Sequence, residues 1–310
     1  MQAMPTRTIS IPVAAPFDLR LCLNGHGWVA LAPHAFDEAA VTLTTVLRLH
    51  DDAVDATLSR AAPDALRLRL VSHRPLAAAA TRLARQQIMH MLRLHDDLSA
   101  FHAMCRKDPG LRWAARRGAG RMLRSAGVFE DLMKLLFTTN TTWSGTEAMT
   151  RSLVAAAGSQ APSGARAFPS PQQCVQPVAF YRDTVRTGYR AEAAVQLAQA
   201  FATGALDDAT FLAPQPTAQL WDRLLSLRGF GPYAAGQAMR LCGHYDKLAL
   251  DSWCRARLAE LDGKKRPPSD RTVERRYARF APFQGLALWL DLTADWHGER
   301  AAAASANAAR

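Results

Sequence analysis

Two neighbouring segments carry residue types at spacings that chemistry can use. The first runs Leu227-Arg228-Gly229-Phe230-Gly231-Pro232-Tyr233-Ala234-Ala235-Gly236. A helix from about Thr217 ends at an L-x-G-x-G turn, and a second helix opens at Pro232, since proline suits a first helical turn. Gly229 and Gly231 permit positive φ and close backbone approach. Their N–H groups and the following helix N-terminus form a site suited to a phosphate. A helix–hairpin–helix of this kind grips a DNA backbone without reading its sequence. The plainer reading is a glycine turn between two core helices. The second segment is Ala249-Leu250-Asp251-Ser252-Trp253, in which an acid follows a short apolar run and opens a new helix. As an N-cap, Asp251 accepts from the first turn. As a functional group, its carboxylate lies at the positive end of a helix dipole, suited to stabilising a developing cation.

The rest of the chain must position these groups. Its 310 residues are 49% hydrophobic and 21% charged, enough for a sizeable core and for two domains. A net charge of +11, mostly from arginine, favours a polyanionic partner, nucleic acid over membrane. The five cysteines show no C-x-x-C pair, which argues against structural zinc or an iron–sulfur cluster and for free thiols in a reducing compartment. With no signal-type leader and no 18-residue apolar run, a cytoplasmic, nucleoid-associated monomer of bacterial type is expected.

The expected fold class is α+β: an N-terminal antiparallel β-sheet, then an all-α helical domain carrying the hairpin. Residues 1–14 read as a flexible leader. Five strands are expected at Phe17–Leu23, Gly27–Ala32, Ala40–Leu49, Val54–Arg60 and Ala65–Ser72. A long helix from Pro75 to about Met104 completes a first unit over 15–108. Helices at Phe129–Phe137, Trp143–Ala157, Ala191–Thr203, Asp207–Leu212 and Thr217–Leu227 build a second over 109–300. The Ala-rich tail 301–310 reads as disordered.

The hairpin followed by Asp251 resembles the helix–hairpin–helix DNA glycosylase superfamily, and other segments point to its 8-oxoguanine/alkylbase branch. Gly120–Leu132 with Thr138-Thr139-Asn140-Thr141-Thr142 is similar to the segment leading into an Asn-rich loop. Gly188-Tyr189-Arg190-Ala191 is similar to a G-Y-R-A motif, and Phe280–Gly285 to a terminal F-G-P-Y-A-G. The resemblance covers roughly residues 15–295. It implies that Asp251 is the catalytic acid, that Asn140 fills the gap left by a flipped nucleotide, and that Tyr189 wedges the stack. Gly229, Gly231, Arg228 and Arg190 would contact DNA, and Tyr233, Trp143 and Trp253 would line the base pocket. Lyase members carry a lysine where this chain has Tyr233, and Lys247 reads as a surface residue. The resemblance therefore implies a monofunctional enzyme that flips a damaged or mispaired base and hydrolyses its glycosidic bond with water. The partner would be duplex DNA, with no cofactor, no iron–sulfur cluster and no metal beyond a monovalent cation that hairpin carbonyls can hold. The competing reading is a non-catalytic lesion-binding protein. His26 and Trp28 read as sheet packing, with an approach to DNA or the pocket as the alternative; His102 and Cys105 read as packing or surface.

Overall fold

The computed structural model describes residues 4–299. Its strands are β1 (Thr6–Pro12), β2 (Ala35–Asp37), β3 (Thr42–Leu49), β4 (Asp52–Ala62) and β5 (Ala65–Val71), in one antiparallel sheet of order β1-β5-β4-β3-β2. The helices are α1 (Leu19–Leu23), α2 (Ala78–Met91), α3 (Ser99–Lys107), α4 (Arg112–Arg117), α5 (Val128–Thr138), α6 (Trp143–Ala157) and α7 (Pro171–Cys174). They continue with α8 (Ala191–Ala202), α9 (Asp208–Leu212), α10 (Thr217–Ser226), α11 (Pro232–Cys242), α12 (Ser252–Leu261), α13 (Asp270–Tyr277) and α14 (Gln284–Thr293). The α+β class and the five strands are as expected from sequence; two of the strands lie elsewhere.

The segment expected as a leader holds β1, paired in register with β5 from Thr6↔Val71 to Pro12↔Ala65. Phe17–Leu23 and Gly27–Ala32 are not strands. Asp18 accepts a hydrogen bond from Leu21 N at 3.1 Å and so caps α1, while Gly27–Ala30 forms a 3₁₀ turn. The apparent alternation in Leu19–Leu23 is a short helix buried nearly all round. The long helix expected from Pro75 is broken into α2 and α3. Between them Arg93 takes φ +56° and is 1% exposed. Its guanidinium donates to the Arg240 and Leu241 carbonyls at 3.1 and 2.9 Å. A straight helix would carry that arginine away from the end of α11. The tail 301–310 lies outside the described residues.

One apolar cluster joins the inner sheet face (Leu43, Leu47, Val54, Leu68) to α5, α8 and α11. A second joins α3 and α4 to α12–α14 through Phe101, Trp113, Leu258 and Leu286. Packing therefore crosses the boundary expected near residue 108, and chain from both halves meets where the two clusters abut.

Candidate active site

The hairpin is built as its glycines demand at one position. Gly229 sits at φ +84°, and a Cβ there would lie 2.6 Å from Leu136 Cδ1, so the turn is pressed onto α5. Gly231 differs from expectation: its φ of −98° is extended backbone, open on all sides. Pro232 then starts α11. Tyr233, Gln237 and Leu241 follow at i, i+4 and i+8, so one stripe of that helix faces a single cavity.

The opposite requirement falls on Gly236. A Cβ there would lie 2.7 Å from Ala249 Cβ, so the glycine lets the next loop lie against the helix. Ala249 is left-handed at φ +51°, turning the chain into Asp251. That residue caps α12, its Oδ1 accepting from Cys254 N at 2.7 Å. It is half-buried and lines the cavity. Both sequence readings of Asp251, N-cap and site carboxylate, describe the same residue.

The cavity holds about 690 Å³, within the range of small-molecule sites. Its walls come from distant parts of the chain. Trp28, held by a 2.7 Å bond from its Nε1 to Asp131, arrives from the N-terminal segment. Trp143 lies against Gly27, where any Cβ would strike the indole. Trp253, Trp289 and Trp296 form a triad with ring centroids 5.7 to 5.9 Å apart. Trp289 is fixed by a 2.6 Å bond from its Nε1 to the Gly25 carbonyl. Among the described residues, Asp251 is the one carboxylate and His26 the one imidazole of the lining, which includes no Lys or Arg. Tyr233 stands close to the acid: burial first, then the Asp251 charge, pushes its phenol up to about 12, so it stays a neutral hydroxyl.

Residues predicted from sequence as pocket wall (Tyr233, Trp143, Trp253) are brought together with Asp251. Trp289 and Trp296 were missed, and His26 and Trp28 belong to this wall rather than to sheet packing alone. The only sequence signal for the first two was the density of tryptophan in the last 60 residues. His102 is packing, its Nε2 within 2.8 Å of the Ala119 carbonyl.

At the cavity mouth Asn140 also lines the wall, at φ +44° just beyond α5. Its Nδ2 donates to the Tyr189 hydroxyl at 3.2 Å, which ties the two residues expected to enter the duplex to each other. Tyr189 is 65% exposed. Arg190 departs from expectation. It is 6% exposed, donates to the Thr187 carbonyl at 3.1 Å and the Thr139 carbonyl, and places its guanidinium 4.5 Å over the Tyr189 ring. It braces Tyr189, and its donors are engaged by backbone carbonyls instead of facing solvent. Arg228, by contrast, is exposed and paired with Glu192. Among the described residues no cluster of three or more His, Cys, Asp or Glu is placed to hold a metal, and no helix is long and apolar enough to cross a membrane.

The architecture is that of solved DNA glycosylases. The chain is similar to the 3-methyladenine DNA-glycosylase from Archaeoglobus fulgidus, with a TM-score of 0.72 and 17% identity over 93% of this chain and 98% of that one. It is similar to the 8-oxoguanine glycosylase/lyase of Clostridium acetobutylicum in its apo form, with a TM-score of 0.68 and 14% identity over 94% and 98% of the two chains. MBOgg1, solved with a low-affinity DNA ligand, gives a TM-score of 0.70 and 18% identity over 96% and 100%. No protein-family model and no curated protein matches the sequence. The chain thus shares the α+β fold of these solved DNA glycosylases over nearly its whole length.

Proposed function

We propose that the protein is a DNA N-glycosylase of base excision repair that acts by hydrolysis, without lyase chemistry through a lysine. One observation carries the reading: among the described residues Asp251, the cap of α12, is the sole carboxylate lining an aromatic cavity of about 690 Å³. Flipping brings the target nucleotide out of the stack, least expensively at a damaged or mispaired site. Tyr189 enters the duplex and Asn140 occupies the vacated space. As the base departs, Asp251 stabilises positive charge on the sugar and orients the attacking water. Tyr233 occupies the place of a lyase lysine and, as a neutral phenol, offers no amine for a Schiff base. Gly229, Gly231 and Arg228 meet the DNA backbone, with no cofactor required. Five indoles and no cation in the wall favour an electron-poor base, such as an N-alkylated purine, which an aromatic face attracts.

The test is a panel of single-lesion duplexes, scored for strand breaks with and without alkali, for the protein and for Asp251→Asn. Breaks that need alkali, on one lesion class, and their loss in Asp251→Asn with DNA affinity retained, are expected. Excision that survives Asp251→Asn overturns the mechanism. A borohydride-trapped adduct overturns hydrolysis. Binding with no excision on any lesion favours a recognition module.

A further inference from the structure

His26 is 8% exposed, yet it lines the cavity. Its Nε2 lies 2.6 Å from the Leu123 carbonyl. A carbonyl only accepts, so Nε2 carries the proton in this hydrogen-bond network and Nδ1 is left as a bare acceptor. Among the described residues that atom has no hydrogen-bond partner, and it keeps some exposure. The Nε2 edge is turned to Leu123, which leaves the Nδ1 edge for the cavity that the residue lines. Burial also keeps the ring neutral, holding its pKa down near 4. The ring cannot swing away: it packs 4.5 Å from Trp28. The backbone on either side is equally fixed. A Cβ on Gly25 would lie 2.8 Å from the Arg121 carbonyl, and Gly27 is closed off by Trp143.

We propose that His26 is a specificity-determining residue whose Nδ1 accepts a hydrogen bond from an N–H or amino group on the edge of the flipped base. The inference rests on the glycosylase reading. Stacking on indoles accepts any aromatic base, because every base has a π-face. A buried acceptor does not, because a base that brings no donor leaves it unpaired. Sites built to bond a polar group reject analogues that lack it far better than apolar sites reject extra atoms. His26 would thus add selection by hydrogen bonding to the wall's preference for electron-poor bases.

The experiment measures single-turnover excision on a lesion that the protein cleaves and on its analogue with the amino group replaced by hydrogen or the ring N–H by C–H. Both are assayed with the wild-type protein, His26→Phe and His26→Gln. The wild-type protein is expected to favour the donor-bearing base by about 10- to 100-fold, the loss from one unpaired buried group. His26→Phe keeps a ring but no acceptor, so the ratio should collapse toward one. His26→Gln supplies an amide oxygen and should restore part of it. A wild-type ratio near one overturns the proposal without any variant, as does a folded His26→Phe that retains the preference. Absence of excision by the wild-type protein on every lesion is a different result, and overturns the glycosylase reading itself.

Discussion

Gly236→Ala is a one-atom change whose consequence can be worked out in advance. The added Cβ would stand 2.7 Å from Ala249 Cβ and 3.1 Å from Ala249 Cα. Carbon atoms rest comfortably at about 3.5–4.0 Å, so the loop must recoil by roughly 1 Å. Neither obstructing atom is the tip of a flexible side chain, and Ala249 is already left-handed. The overpacking should cost about 1–3 kcal/mol of stability. Asp251 lies two residues further on and is carried with the loop. A displacement of about 1 Å at a reacting group costs on the order of 10²-fold in rate. Single-turnover excision on a duplex cleaved by the wild-type protein, alongside thermal melting and DNA binding, separates these effects. The rate should fall about a hundredfold, with affinity within about threefold, because the new Cβ meets Ala249 and neither Gly229 nor Gly231 of the hairpin. Gly231→Ala is the internal control: its Cβ meets nothing and its φ suits any residue, so stability should not change. A Gly236→Ala protein that excises within a factor of about three of wild type would refute the claim that this glycine sets the position of the acid.

Other perturbations read other parts of the structure. Arg190→Ala removes the brace between the Thr187 and Thr139 carbonyls and Tyr189. It should slow excision from a fully paired duplex more than from one in which the lesion sits opposite an abasic analogue; an equal loss on both would show that the arginine serves the fold alone. Lys134 is fully buried and paired with Glu130 at 2.6 Å. Lys134→Met strands that carboxylate and should cost about 3–5 kcal/mol in urea unfolding, with recovery in the Lys134→Met, Glu130→Gln double variant. Burial, opposed by the hydrogen bond to Leu123 and the Asp131 charge and reinforced by the Arg240 and Arg93 charges, holds the His26 pKa near 4 against an ordinary 6.5. Below pH 6.5 the unfolded chain takes up a proton that the native ring refuses, so stability should decline as pH falls from about 6.5 to 4. The integrated loss from this group is up to roughly 3 kcal/mol, and an unfolding midpoint that is flat between pH 7 and 4.5 would contradict it.

How much was legible in the sequence follows the range of the physics involved. Trp143–Ala157 is α6 to the residue, and the hairpin and Asp251 stand where their local chemistry puts them, because caps, glycines and helical spacing act within one or two turns. The first strands were misplaced for a local reason as well: period-two alternation in Leu19–Leu23 competed with the Asp18 cap, and the cap prevailed. Thr6–Pro12 carries β-branched Thr6, Thr8, Ile9 and Ile11, but Pro5 and Pro12 at its ends demote the run, and its pairing with β5 is non-local. Arg93 and Arg190 were illegible for another reason. An arginine reads as surface, yet its apolar stem and five donors let it be buried wherever carbonyls converge. The cavity wall was the least legible part, because Trp28, Trp143 and Trp289 meet only once the whole chain has folded.

The gathering of five of the chain's seven tryptophans around one cavity has an optical consequence. Near-ultraviolet emission of a protein comes mainly from its indoles, and a stacked nucleobase quenches them. The outliers, Trp113 and Trp221, are fixed background. The intrinsic glow of this molecule is therefore in large part the glow of its pocket. An arriving base would darken it and a departing base restore it, giving an unlabelled clock for entry and release.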